Sequence, residues 1–395
     1  MNILFISSQF PNSVEPNKGM FSKQIVLAMA KRHSIQVISP VPHIGILGFL
    51  NKIKKYKVIA PAQEVESLAG IPVHCPRYFA VPVVSTLQHF FLYRTLYRII
   101  SRIAQTWHID VVNCHWLYPD GVAAQTVCNR LEIPVMLSAL GSDLNRYMGF
   151  KLRRSFIVNA LNQADAVSVL NQEMFDLCLS SGVTQRNIHV IPNGVDTEKF
   201  IIRDQDVCRK KISIPIGPKI VLFVGSLYHV KNVGTLIVAF AKAVKKMNNV
   251  KILLYITGKG YLLNELQRLV AERQLEDRVV FIGQVSHDEL PVLMSAADCL
   301  CLPSFSEGHP NVMMEAMACG TPVVGSRVGS MPDFINDESG FLFNPHNAEE
   351  LSEMLQRCLS FPYNRLTIRK RVVGLTWENC ADAYISCLAK MTETL

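Results

Sequence analysis

Short apolar runs rich in β-branched residues recur along the chain, each followed by a polar or glycine-bearing turn and then by a longer segment of helical periodicity. In the amino-terminal half the runs fall at 3–7, 35–38, 111–114, 134–138 and 166–169. Such runs, separated by helices, predict parallel βα units, whose strands are covered on both faces and so need no polar side. The theme restarts at Ile220-Val221-Leu222-Phe223-Val224 and continues through 251–257, 279–282, 299–302 and 322–324. Each set suffices for its own sheet, so the fold class is α/β: two doubly wound, Rossmann-like domains facing across a cleft that suits a ligand. A chain of 395 residues, 49% of them hydrophobic, is also more than one core usually serves.

The join is predicted at Ile191-Pro192-Asn193-Gly194-Val195-Asp196, where turn-forming residues follow a strand-like 188–191. That gives a first domain over 1–194 and a second over 195–373, with 374–395 to be placed. The longest apolar candidate for a membrane span, 87–103, is broken by Arg94, Arg98 and Arg102, and the amino terminus lacks a basic region before its apolar run. Eleven cysteines without a paired C-x-x-C spacing read as reduced and mostly buried. A cytoplasmic protein is expected.

Charge is uneven. Residues 1–154 hold 17 lysines and arginines against 7 carboxylates, and the remainder, 23 against 25, is close to neutral. This favours an anionic partner for the first half, a membrane surface or a phosphorylated substrate, over nucleic acid. Two segments combine apolar, aromatic and basic residues. One, 44–50, leads into Lys52, Lys54, Lys55 and Lys57, and is the candidate for lying on an anionic bilayer at the inner face of the plasma membrane. The other holds Phe90, Phe91, Tyr93, Arg94, Tyr97, Arg98 and Arg102, and reads rather as a core helix with a basic edge.

The chemistry concentrates in Ser306-Glu307-Gly308-His309-Pro310-Asn311-Val312-Met313-Met314-Glu315, which follows the run at 299–302 and ends in Gly320 and Pro322. Proline at the start and glycine at the stop predict a short helix over 310–319. Its first amides, those of Asn311 and Val312 among them, should face the carboxyl ends of the strands, where open α/β sheets bind ligands and an aligned peptide dipole favours phosphate. Glu307 and Glu315 frame the helix start. Their spacing does not suit an acid and base pair; beside a phosphate each would accept hydrogen bonds from sugar or ribose hydroxyls.

With these residues the sequence resembles the retaining glycosyltransferases of family four, which have the GT-B fold and share this E-x7-E segment. The resemblance extends to Ile191-Pro192-Asn193-Gly194-Val195-Asp196, to Phe223-Val224-Gly225-Ser226-Leu227 with Lys231, to His115-Trp116-Leu117-Tyr118-Pro119-Asp120-Gly121 and to Gly141-Ser142-Asp143. The last two are similar to members that build bacterial surface polysaccharides, including the teichuronic acid type. Trp377-Glu378 resembles the start of a terminal helix that returns to the first domain, making 374–395 part of the acceptor-binding domain and 195–373 the donor-binding one.

The resemblance implies transfer of a sugar from a nucleotide-diphosphate sugar to a hydroxyl of a glycan or lipid-linked acceptor, with retained anomeric configuration, no metal and no further cofactor. It implies that Glu307 binds donor-sugar hydroxyls, Glu315 the ribose and Lys231 the diphosphate. Gly19, Gly225, Ser226, Gly308, His309, Pro310, Asn311 and Val312 would line the donor, and Gly283, Gln284 and Val285 the base. His115 and Asp143 would serve the acceptor. Two positions depart from the family pattern: Ser226 stands where an arginine is usual, and Leu140 where many members place a histidine. Asp204-Gln205-Asp206 imitates a metal motif but lies in a polar segment away from any strand end. A sugar-nucleotide-binding scaffold and a nucleotide-sugar epimerase of the same fold remain as alternatives; retention of Glu307, Glu315 and Lys231 speaks against the first, and the E-x7-E segment against the second.

Overall fold

A computed structural model describes residues 1–16, 18–43, 65–80 and 82–393. The basic segment 44–57 expected on a membrane surface lies outside them. The chain divides into two compact units, 1–193 with 377–395, and 194–376.

Among the described residues ten strands belong to the first unit: β1 Asn2–Ile6, β2 Ser34–Ile38, β3 Val41–His43, β4 Val65–Leu68, β5 Ile71–His74, β6 Arg77–Phe79, β7 Val111–His115, β8 Val135–Ser138, β9 Ala166–Val169 and β10 Ile188–Val190. Eight form a sheet in the order β10-β9-β8-β7-β1-β2-β5-β4, parallel except for the antiparallel edge strand β4. Strand alternation explains the continuous hydrophobicity: Leu4 and Ile6 enter one core, Ile3 and Phe5 the other, and all four are fully buried. The terminal helix Trp377–Glu393 covers the second face with Trp377, Ala381, Tyr384 and Leu388, three and four residues apart. Lys31 pairs with its Glu378 at 2.6 Å.

The second unit holds β11 Lys219–Val224, β12 Ile252–Thr257, β13 Val279–Gly283, β14 Cys299–Leu302, β15 Val323–Ser326 and β16 Gly340–Phe343. They form one parallel sheet in the order β13-β12-β11-β14-β15-β16. This is the doubly wound order, and strand direction of growth reverses between β11 and β14, so the loops leaving those two strands border the crevice where such sheets bind ligands. The segments entering and leaving this unit run side by side, Val195 N donating to Leu375 O at 2.8 Å. Asp204 caps the helix Gln205–Lys211 by accepting from Val207 N, a structural use of the D-x-D imitation.

All eleven cysteines are buried thiols. No helix among the described residues is long and apolar enough to cross a membrane. The helix Gln88–Ala104 buries Leu92, Leu96, Ile99, Ile100 and Ile103 and leaves Arg94, Arg98 and Arg102 exposed, as a core helix with a basic edge.

Candidate functional site

Glycines let the loops at the carboxyl edge of the second sheet touch backbone to backbone. Gly225 follows β11, and a side chain at Gly258, φ +138°, would meet its carbonyl oxygen at 1.7 Å. One at Gly260 would meet Leu227 O at 2.2 Å, and one at Gly329 would meet the carbonyls of Glu307 and Gly308 at 2.6 Å. Hydrogen bonds fix the same contacts: Gly225 N to Thr257 O at 3.1 Å, Leu227 N to Lys259 O at 3.0 Å and Ser330 N to Gly308 O at 3.0 Å.

From the β11 loop, which carries Ser226, a single turn His229–Lys231 leads to Asn232, held at φ 54°. The Asn232 amide donates to Pro303 O and Pro345 O at 3.0 and 2.9 Å, clamping the turn against the loop after β14. Lys231 is thereby brought to Glu307, Nζ to Oε1 at 2.6 Å, and Ser304 Oγ donates to the same oxygen at 2.6 Å. The pair is half-buried, with 27% of the lysine and 11% of the glutamate side chain exposed, so its charges are less screened than surface ones. Two residues 76 positions apart thus meet where β11 and β14 part.

Pro310 occupies the cap position of the helix Asn311–Ala318, and its side chain makes no capping hydrogen bond. The helix spans one residue less at each end than the sequence predicts. Glu315 lies one turn in and its Oε1 accepts from His287 Nε2 at 2.8 Å, while Lys199 Nζ donates to His287 Nδ1 at 2.8 Å. His287 comes from the segment after β13, just past Gly283, Gln284 and Val285, and Gly283 O is held by Gly258 N and Thr257 Oγ1, both at 2.7 Å. The expected base-binding residues therefore adjoin the residue that touches Glu315. Sequence reasoning passed over His287, Ser304 and Lys199, since a lone polar residue in a loop gives no periodic or spacing signal.

The His309 side chain is corrected by its burial. It is 6% exposed, edge-on to Phe334 with centroids 5.4 Å apart, and neither ring nitrogen has a partner. Burial holds its pKa down at about 4, so the ring is neutral and brings no charge to a phosphate.

In the first unit the structure reassigns two expected residues, His115 and Asp143. His115 ends β7 with its ring fully buried between Phe5 and Tyr384, at centroid distances of 4.6 and 5.3 Å, and without a hydrogen-bond partner. Alternation along β7 sends it to the face covered by the terminal helix, so it fills the core and does not meet an acceptor. Asp143 is also fully buried, but both oxygens hold backbone: Oδ2 accepts from Leu117 N at 2.9 Å, Oδ1 from Leu140 N and Leu144 N at 2.9 and 3.1 Å. It ties two loops together, and its fully buried position keeps it from the surface where an acceptor would lie. Gly19, φ +56°, is required by its own chain, because a side chain there would meet Gln9 O at 2.0 Å.

Asp120, which had no assigned role, emerges between the ends of β1 and β7. Its Oδ2 accepts from Ser8 N at 2.6 Å, Oδ1 is buried without a partner, and burial pushes its pKa up to about 7 against the pull of the Ser8 bonds.

Burial depresses the His115 pKa to about 3, below its ordinary value of 6.5. Below pH 6.5 the unfolded chain takes up a proton that the folded chain refuses, so this contribution to stability is full above pH 6.5 and falls as pH drops toward 3. At pH 5 the loss is ~2 kcal/mol. His115→Phe should therefore gain ~2 kcal/mol relative to the parent between pH 7 and pH 5, read from denaturant midpoints. An equal difference at both pH values would mean that the folded ring takes up the proton.

Among the described residues no group of three His, Cys, Asp or Glu side chains is placed to hold a metal ion. What the second unit offers is a cation, an accepting carboxylate and a helix start at one strand-end crevice, a combination suited to a diphosphate carrying hydroxylated groups.

Two family profiles match the chain: glycosyl transferases group 1 over residues 204–372 and glycosyltransferase family 4 over 55–199. A teichuronic acid biosynthesis glycosyltransferase of Bacillus subtilis (strain 168) is 27% identical over 367 residues, 90% of this chain and 89% of that protein. Among solved structures, sucrose-phosphate synthase from Thermosynechococcus elongatus superposes with a TM-score of 0.79 at 22% identity, covering 100% of both chains. Anabaena HepE in complex with UDP and glucose superposes with a TM-score of 0.68 at 20% identity, covering 100% of this chain and 99% of that one.

Proposed function

The chain belongs to the GT-B glycosyltransferases, with a group 1 domain in its second unit and a family 4 domain in its first, and from that premise we propose that it is a retaining enzyme of cell-surface glycan synthesis. The donor is a nucleotide-diphosphate sugar bound by the second unit, and the acceptor is a hydroxyl of a glycan or lipid-linked intermediate bound by the first. The observation that carries the reading is the Lys231–Glu307 pair, 2.6 Å apart where β11 and β14 diverge.

In the proposed reaction the bond from the anomeric carbon to the diphosphate breaks while the acceptor oxygen bonds to that carbon on the same face. The acceptor proton passes to the departing diphosphate. Lys231 and the first amides of the helix Asn311–Ala318 meet the charge that collects on the leaving group, and being fixed beforehand they need not reorganise. Glu307 accepts from donor-sugar hydroxyls, Glu315 from the ribose, and the loop at Gly283, Gln284 and Val285 borders the base. The UDP complex of the HepE structure supports a UDP-linked donor, and the likeness to the teichuronic acid glycosyltransferase supports a surface-polymer acceptor. A lipid-linked acceptor would place the protein peripherally on the inner face of the plasma membrane.

Glu307→Ala tests the reading. Transfer from the nucleotide sugar should fall by about 100-fold or more while the diphosphate still raises the melting temperature. Undiminished transfer would remove Glu307 from the donor site. A non-catalytic sugar-nucleotide-binding subunit is the second reading, favoured by Ser226 at the phosphate loop, and it requires the parent protein to bind the donor without turning it over.

A further inference from the structure

We propose that the first unit carries a second anion site, a cavity of 430 Å³ at the β4–β5 edge of its sheet that takes a phosphate or diphosphate group. It goes beyond the donor site, which belongs to the second unit. Arg77, Arg98 and Arg102 line it, with His74, Thr95 and Ile99.

The arrangement of the arginines is the main argument. Arg94, Arg98 and Arg102 follow one another at four-residue spacing along the helix Gln88–Ala104, so they stand in one stripe and repel each other. The opposite face, Leu92, Leu96, Ile100 and Ile103, is buried, which fixes where the stripe points. Among the described residues no ion pair forms at Arg98 or Arg102. Arg77, from β6, adds a third guanidinium to the same wall.

Chemistry selects the ligand. The arginine fork matches phosphate oxygens two at a time, and the Arg98 and Arg102 forks together exceed the charge of a single carboxylate. The nearest strand carboxylate points away: Val65 pairs with His74 at the cavity, whereas Glu66, the next residue, pairs with Val73 on the other face and holds Ser13. His74 is bonded to Gln36 Oε1 at 2.9 Å, and burial with the nearby Arg102 charge lowers its pKa, so it serves as a neutral wall. The excess of positive charge in residues 1–154 draws anions to this unit.

The test is calorimetric titration of inorganic pyrophosphate into the full chain carrying Lys231→Ala, which removes the donor-site cation. Binding should persist there and weaken about tenfold or more on adding Arg98→Ser and Arg102→Ser, both exposed positions whose change leaves the melting temperature in place. The paired Arg→Lys variant, which keeps charge and loses the fork, should fall between. Flotation with phosphatidylglycerol and phosphatidylcholine vesicles separates the sources. Arginine-dependent retention on the anionic vesicles, competed by pyrophosphate, assigns a lipid headgroup, and pyrophosphate binding without retention assigns a soluble phosphate compound. Pyrophosphate binding that is absent, or indifferent to Arg98 and Arg102, overturns the proposal. The UDP response of the parent protein reports separately on the donor reading.

Discussion

Replacing Lys231 by alanine should lower kcat by about 100- to 1,000-fold, the cost of removing one preorganised charge donor, or roughly 3–4 kcal/mol of transition-state stabilisation. The lysine is held by the turn His229–Lys231 and by the Asn232 clamp, so its ammonium is in place before the diphosphate leaves. With Ser226 in the same loop, no arginine fork from that position shares the load. Lys231→Arg should recover only part of the activity, because a planar fork does not fit a contact made at 2.6 Å by a compact ammonium. Steady-state transfer from the nucleotide sugar checks both. A Lys231→Ala enzyme with parental kcat would show that the departing charge is met elsewhere.

Asp298→Ala should destabilise the second unit by about 3–5 kcal/mol without touching the donor site. Asp298 precedes β14 at the edge away from the candidate site and accepts from Arg209 at 2.7 Å, Lys219 at 3.1 Å and Ile220 N at 2.7 Å. Only 5% of the Arg209 side chain is exposed, so losing the carboxylate strands a charge in the interior. Its other bonds, to Ala296 O and Pro218 O, orient the guanidinium but do not neutralise it. Denaturant unfolding measures the loss, and Asp298→Asn, which keeps an acceptor but no charge, should lose nearly as much. A change below about 1 kcal/mol would place the pair in the class of screened surface bridges.

Strand positions were legible in the sequence because parallel strands are apolar on both faces and need only local pattern to be seen. β14 at Cys299–Leu302 and β9 at Ala166–Val169 fall where they are read. β3, β4, β5, β6 and β16 were missed: Pro42, Glu66, Pro72, Arg77 and Gly340 interrupt or replace their apolar runs, and their strand character comes from pairing with a neighbouring strand. The doubly wound class was legible from the alternation of strands and helices, whereas the place of each strand in its sheet was not, since it depends on which connections cross and not on any local residue.

For the site, Glu307 and Glu315 could be singled out by type and spacing and Lys231 by its resemblance to the family's phosphate loop, whereas the contact between Lys231 and Glu307 depends on the order β11-β14. His115 and Asp143 show the opposite case. A polar residue at the carboxyl end of a strand has the same sequence signature whether it meets a ligand or completes a core. Only the direction of the side chain separates the two, and alternation sent His115 inward while three backbone amides claimed Asp143.

The measurement that tests the central claim most directly is thermal melting of the parent and Lys231→Ala proteins with UDP, GDP and ADP. A ligand of the folded state alone, at 100 times its dissociation constant, adds about 2.7 kcal/mol of stability. One diphosphate, expected to be UDP, should raise the melting temperature of the parent and leave that of Lys231→Ala nearly unmoved. An equal rise in both proteins, or none with any of the three, would contradict a diphosphate site built on Lys231 and Glu307.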